Sequence, residues 1–212
     1  MVAPPSETCQ DSYMKAADAH GHLAEDRDGF RFRGGHPAID LPATLQARLK
    51  PISRELLKTP QDLARWLVAA GLASTLPEVG EDDLAQAHTL REAIYALANA
   101  RLPDGPDPST AREALNAIAA GPAAIPRLSP EGGVQLVGPA SALLATLARD
   151  AVHLFGGNLA NQIRRCQSPT CTLFFIDTSR SRDRRWCSMS GCGNKAKVAE
   201  FRRRKRQPAT VV

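Results

Sequence analysis

"RRCQSPTCTLFFIDTSRSRDRRWCSMSGCGNKAKVAEFRRRKR", residues 164–206, holds four of the five cysteines in a chain of 212 residues. Cys166 and Cys171 are separated by four residues, Cys187 and Cys192 by four more, and fifteen residues lie between the two pairs. Two matched thiol pairs are the arithmetic of a closed tetrahedral zinc site. On a coordination sphere of about 2.3 Å radius, neighbouring sulfurs sit about 3.8 Å apart, a span that a short bend supplies. Ser168-Pro169 provides that bend in the first pair, and Gly191 and Gly193 flank the last cysteine. The spacing therefore predicts one structural Zn²⁺ held by Cys166, Cys171, Cys187 and Cys192. A redox pair more commonly shows two intervening residues than four. Arg164, Arg165, Arg184, Arg185 and Lys195 would favour the thiolates and offset the charge of the centre.

The rest of the chain is of a different character. Hydrophobic residues make up 43% and charged residues 23%, while aromatics reach only 5%, with Ala and Leu dominating the apolar set. That balance favours helices, in which Ala and Leu lose little entropy. No apolar run approaches the roughly 18–20 residues of a membrane span. The N-terminal stretch lacks the apolar core of a secretory signal, so a cytoplasmic protein is expected. Thiols there stay reduced, which favours metal over disulfides. From Ala160 onward there are 13 Lys and Arg against 3 Asp and Glu, a net of +10, which leaves −5 for the remainder. Segregation of that size points to an anionic partner for the C-terminal part.

Residues 1–28 are polar and aperiodic and read as a tail. Phe30–Arg33 suits a short strand before Gly34-Gly35. Leu41, Leu45 and Leu49 recur at helical spacing up to Pro51. Thr59-Pro60-Gln61-Asp62 is a helix start, with Leu63, Trp66 and Leu67 inward and Gly71 as the stop. Gly80-Glu81-Asp82-Asp83 opens a longer helix to about Ala100, striped by Leu84, Ala87, Leu90, Ile94 and Leu97. Another helix is expected over 110–120, a hairpin around Ser129–Gly133, and a last helix over 139–155 with Leu143, Leu144, Leu147 and Val152 on its apolar side. The fold class expected is mainly α with a small β component: a helical domain over 29–157, a small zinc-bound α+β module over 160–206, and a tail over 207–212. Within the module, Leu173–Ile176 should form a strand filling the zinc core, and 193–206 a helix whose Val198 and Phe201 pack back on it.

The exposed cations would be Arg180, Arg182, Arg184 and Arg185 before the third cysteine, then Lys195, Lys197, Arg202, Arg203, Arg204, Lys205 and Arg206 after the fourth. Five consecutive basic residues cover every face of a helix, so Arg202–Arg206 suits a phosphate clamp more than base reading. DNA is the expected partner. RNA and an acidic protein partner are the alternatives, because nothing in the residues senses a 2′-hydroxyl. Homodimerisation or a small-molecule effector are the roles left for the helical domain.

No Ser/His/Asp or Cys/His set suggests catalysis, and no enzyme is expected. His20, His22, His36, His88 and His153 are scattered singly, and Cys9 sits in the N-terminal tail. Asp40 and Arg91 face inward on helices, where pairing with neighbours is favoured over lining a ligand pocket.

Cys192-Gly193-Asn194-Lys195, preceded by Arg184-Arg185-Trp186-Cys187 and by the first cysteine pair, resembles the CGNR-type zinc finger. FRFRGGHPAIDLPATL (30–45), followed by TPQDLARWL (59–67), resembles the ABATE-type domain that commonly precedes that finger. The resemblance covers about 29–206 and implies a stress-associated transcription regulator. Its motif ends in Arg where this chain has Lys195, so positive charge is kept while the planar, five-donor fork is not.

Overall fold

The computed structural model describes residues 25–130 and 132–206. Residues 1–24 and 207–212, with Cys9, His20, His22 and Glu131, lie outside the described residues. Asp26–Arg27 (β1) and Phe30–Arg31 (β2) form a first hairpin, so residues 25–28 belong to the folded body and not to the tail expected over 1–28. Helix α1 (Pro37–Asp40) passes into a 3-10 turn (Leu41–Thr44) and then strand β3 (Leu45–Gln46), which pairs with β4 (Arg54–Glu55).

This departs from the continuous helix expected to Pro51. Pro42 has no amide to continue an α-helical ladder, the Thr44 hydroxyl donates to the Leu41 carbonyl at 2.7 Å, and the next residues turn outward. Leu49, expected inward, is exposed at the β3–β4 turn.

The central helices follow their local signals. In α2 (Pro60–Ala69) the Thr59 hydroxyl accepts from the Asp62 amide at 3.2 Å, while the Asp62 carboxylate accepts from the Thr59 amide at 3.0 Å. That reciprocal cap satisfies two end groups. Leu63, Trp66 and Leu67 are fully buried, and Gly71 at φ +77° reverses the chain where a side chain would strain it. Helix α3 (Glu81–Asn99) opens with three acids at its positive end, where Asp83 accepts from the Gly80 amide at 2.9 Å. Helices α4 (Ser109–Ala119) and α5 (Ala140–Gly156) pack with α3 around one core. Val152 falls off the buried stripe of α5 and is exposed. Between α4 and α5 stands a separate hairpin, β5 (Ile125–Leu128) with β6 (Val134–Val137).

The C-terminal module comprises β7 (Ile163–Arg165), β8 (Phe174–Ile176) and helix α6 (Asn194–Arg206), the last entered through a wide turn over Met189–Gly193. The chain is thus mainly helical, with small antiparallel sheets and a small α+β zinc module. No helix among the described residues is long and apolar enough to cross a membrane.

Candidate metal centre and basic surface

Strand β8 decides how the module sits. Successive side chains on a strand point to opposite faces. Phe174 and Ile176, with Ile163 of β7, enter the main helical core. Leu173 and Phe175 instead join Ala43, Cys166 and Cys187 in a second cluster around the thiols. The expectation that all of Leu173–Ile176 fills the zinc core is corrected accordingly: alternation sends half of the strand to each core. Phe174 meets Tyr95 of α3 edge-on, with ring centres 5.6 Å apart. The Ile176 amide donates to the Gly34 carbonyl at 2.8 Å, and the Gly34 amide donates to the buried Asp40 carboxylate at 2.7 Å.

The first cysteine pair occupies the connection between β7 and β8. The Cys166 amide donates to the Leu173 carbonyl at 2.9 Å and the Cys171 amide to the Ser168 carbonyl at 3.0 Å, so the bend at Ser168-Pro169 is the one the sequence suggested. Cys187 precedes the wide turn and Cys192 lies within it. There the Ser188 hydroxyl accepts from the Gly191 amide at 3.2 Å, and the Gly193 amide donates to the Ser188 carbonyl at 2.9 Å.

All four sulfurs lie within 4.8 Å of one another. Cys171 Sγ and Cys187 Sγ are 3.8 Å apart, and Cys187 Sγ and Cys192 Sγ 3.7 Å. Tetrahedral Zn–S bonds of about 2.3 Å require sulfurs about 3.8 Å apart, so the donor set fits zinc in both type and spacing. Four thiols this close cannot all ionise unaided. Hydrogen bonds from Cys171 and Cys187 pull the Cys166 thiol down to about 2, hydrogen bonding to Cys166 pushes Cys171 up to about 12, and the Cys166 and Cys171 sulfurs push Cys187 up. A dication relieves that conflict by stabilising every thiolate. Four thiolates close the coordination shell, so zinc held there cross-links the chain and leaves no position for substrate.

Part of the surrounding charge belongs to the scaffold. Arg184 donates from Nε to the Trp186 carbonyl at 2.8 Å and from Nη2 to the Cys187 carbonyl, with its guanidinium 4.7 Å above the Phe175 ring. It is half-buried and orders the third ligand, so it is not one of the fully exposed cations expected in this stretch. Arg185 is exposed, donating to Gln167 at 2.7 Å and lying 5.1 Å from the Trp186 ring.

Arg203 and Arg204 share the Glu200 carboxylate, each at 2.9 Å, which pulls that carboxyl down to about 2. Lys205 sits 5.1 Å from the Phe201 ring. Among the described residues, the side chains of Arg180, Arg182, Lys195, Lys197, Arg202 and Arg206 are exposed and make no ion pair. Helix α6 buries none of its residues. Val198 and Phe201, expected to pack on the zinc core, are 39% and 59% exposed. Cys192 fixes only the start of the helix, and the remainder projects past the core.

Two contacts to the module have no counterpart in the sequence expectations. Glu25 accepts from the hydroxyls of Ser188 at 2.6 Å and Ser190 at 3.1 Å, and pairs with Arg33 at 3.2 Å. Arg33 lies so close to the second pair of cysteines that a Cβ on Gly191 would come within 2.7 Å of its guanidinium. A side chain at position 191 would have to push that guanidinium aside. Only an acid at position 25, just before an alternating stretch, hinted at this clasp.

The remaining singled-out residues have ordinary partners. His88 Nε2 lies 2.9 Å from the Leu57 carbonyl, and Arg91 bonds Glu55 at 2.7 Å and Glu92 at 2.9 Å. Asp40 and Arg91 are both buried and paired, as expected. His36 caps α1 by accepting from the Ala38 amide at 3.2 Å.

Comparison with known families agrees with this architecture. Residues 35–158 match the ABATE model, described as a putative stress-induced transcription regulator, and residues 162–205 match the CGNR zinc finger. A search of curated proteins finds no match. The first match spans more than half of the chain, and the second covers all four clustered thiols. The chain belongs to the ABATE family and carries a CGNR zinc finger at its C-terminal end.

Proposed function

We propose that this is a transcription regulator that holds DNA with its C-terminal finger, the N-terminal domain serving to dimerise or to sense an effector. One observation carries the reading: a helix that buries nothing leaves a zinc clamp bearing Lys195, Lys197, Arg202 and Arg206 without ion pairs among the described residues, with Arg180 and Arg182 on the loop before the third ligand. Cations held near a rigid site can meet phosphates with little loss of entropy. Lys195 contributes a point charge in this arrangement, not the bidentate fork of the family motif. Arg203 and Arg204 must exchange Glu200 for phosphate, so they add less than the free cations.

If six cations each meet a phosphate, log K falls with log salt at a slope of about −5, and affinity drops about a thousandfold between 50 and 200 mM salt. Fluorescence anisotropy of a labelled duplex with the full-length, zinc-loaded protein measures this. Zinc removal by a chelator should abolish the interaction. A shallow slope, or affinity indifferent to zinc, refutes the reading. Exposed Val198 and Phe201 beside the cations favour one second reading, an acidic protein partner with apolar residues. Absence of any duplex or single-stranded RNA binding would leave that reading in place.

A further inference from the structure

Helix α6 carries its large apolar side chains on the side turned away from the module. Successive residues advance by about 100° around a helix, so Asn194, Val198 and Phe201 stand within about 60° of one another on one face. Ala196 and Glu200, the half-buried residues of the helix, fall on the opposite side. That side faces the module, and the stripe Asn194–Val198–Phe201 faces solvent. Cations border the stripe on both sides. Lys197 and Arg204 lie along one flank, and Lys195, Arg202 and Arg206 along the other. Lys205 stands at its far end, 5.1 Å from the Phe201 ring.

The two flanks decide what covers the stripe. An acidic protein segment needs cations along one line, whereas two rows set a helix width apart match the two phosphate chains that border a groove. A helix with its side chains is about 10–12 Å across, and the major groove of B-DNA is about 12 Å wide. From Asn194 to Phe201 the stripe runs about 10 Å, the length of about three base-pair steps. On the floor of that groove the apolar group offered by the bases is the 5-methyl of thymine, and Val198 and Phe201 offer only apolar surface in return. The Asn194 side chain is exposed at the head of the stripe and has no hydrogen-bond partner among the described residues. Its amide supplies the donor and acceptor that adenine N7 and N6 require.

We infer that α6 lies along the major groove of A·T-rich duplex DNA, with Val198 and Phe201 against thymine methyl groups and the flanking cations on the two phosphate chains. The inference rests on the DNA reading above and adds a choice of base to it. Phosphate contacts supply affinity without regard to sequence, so the stripe is where the helix discriminates.

Replacing every thymine of a labelled A·T duplex by deoxyuridine removes the methyl groups and leaves the pairing edges in place. Fluorescence anisotropy of both duplexes with the zinc-loaded full chain reads the difference. Burying one methyl group is worth about fourfold in affinity, so two such contacts should make the thymine duplex bind about 10–15-fold more tightly. The double variant Val198→Ala/Phe201→Ala changes two exposed positions and removes no cation. It should bind both duplexes about equally, with the salt slope of the wild type. Equal binding of the two duplexes by wild type, with a steep salt slope, overturns this inference and leaves the DNA reading standing. A thymine preference that survives the double substitution also overturns it, because the contact then lies elsewhere. If neither duplex is bound, the DNA reading itself fails, this inference falls with it, and the stripe is left to an acidic protein partner.

Discussion

Replacing Phe174 by alanine tests whether the finger and the helical domain are one cooperative body. Phe174 belongs to a strand of the zinc module, yet it is 2% exposed within the main core and meets Tyr95 edge-on at 5.6 Å. Truncating a buried phenyl costs about 3–5 kcal/mol, and losing an aromatic pair about 0.5–1.5 kcal/mol more. A loss of about 4 kcal/mol is a large share of the 5–15 kcal/mol that holds a typical domain. With an m-value of about 2–3 kcal/mol/M, the urea midpoint falls by about 1.5–2 M. In a Trp186→Phe background, Trp66 fluorescence reports the helical core, and a chromophoric chelator reports zinc release. Phe174→Ala should move both transitions together. If zinc is released earlier while the Trp66 transition stays in place, β8 is not part of the domain core and the coupling is refuted.

Two further outcomes follow from individual side chains. Burial pushes the Asp40 carboxyl up to about 7 and holds His36 down at about 4. Between about pH 4 and 7 Asp40 is protonated when folded and ionised when unfolded, so its contribution declines as pH rises. From about pH 4 to 6.5 His36 is neutral when folded and charged when unfolded, so its contribution grows with pH and the two slopes oppose. Asp40→Asn keeps the acceptor for Gly34 and removes one slope. Its denaturant stability should match wild type near pH 4 and exceed it by on the order of 3 kcal/mol at pH 8; an offset independent of pH would count against this assignment. Arg184→Ala should lower zinc affinity about 10–100-fold in a chelator competition, because the side chain ties down two carbonyls around Cys187. Arg184→Lys should not restore it, and unchanged affinity in the alanine variant would deny Arg184 that role.

The legible parts of the sequence were those where the cause is local. Cysteine spacing alone gave the clamp, since four thiols at matched separations leave few other chemistries. The reciprocal Thr59–Asp62 cap and the acids before Leu84 set two helix starts within a residue. What stayed hidden depends on contacts between distant segments. Periodicity through Leu41, Leu45 and Leu49 suggested a helix, but Pro42 and the pairing of β3 with β4 turned the chain outward. The run Leu173–Ile176 is apolar throughout, so nothing local says that alternate residues serve different cores. Glu25 and Arg33 clasp the second cysteine pair from more than 150 residues away in the chain, beyond what local patterning reaches. Arg184 looked like any other arginine in a basic cluster until its carbonyl partners were in view.

Whether the proposed zinc-clamped finger holds DNA is decided by selection of bound sequences from a random duplex pool. Zinc-loaded wild type should enrich a sequence set, whereas Cys187→Ser, which removes one ligand, should enrich nothing. Equal enrichment by both proteins, or none by wild type, would contradict DNA binding through the zinc-held finger.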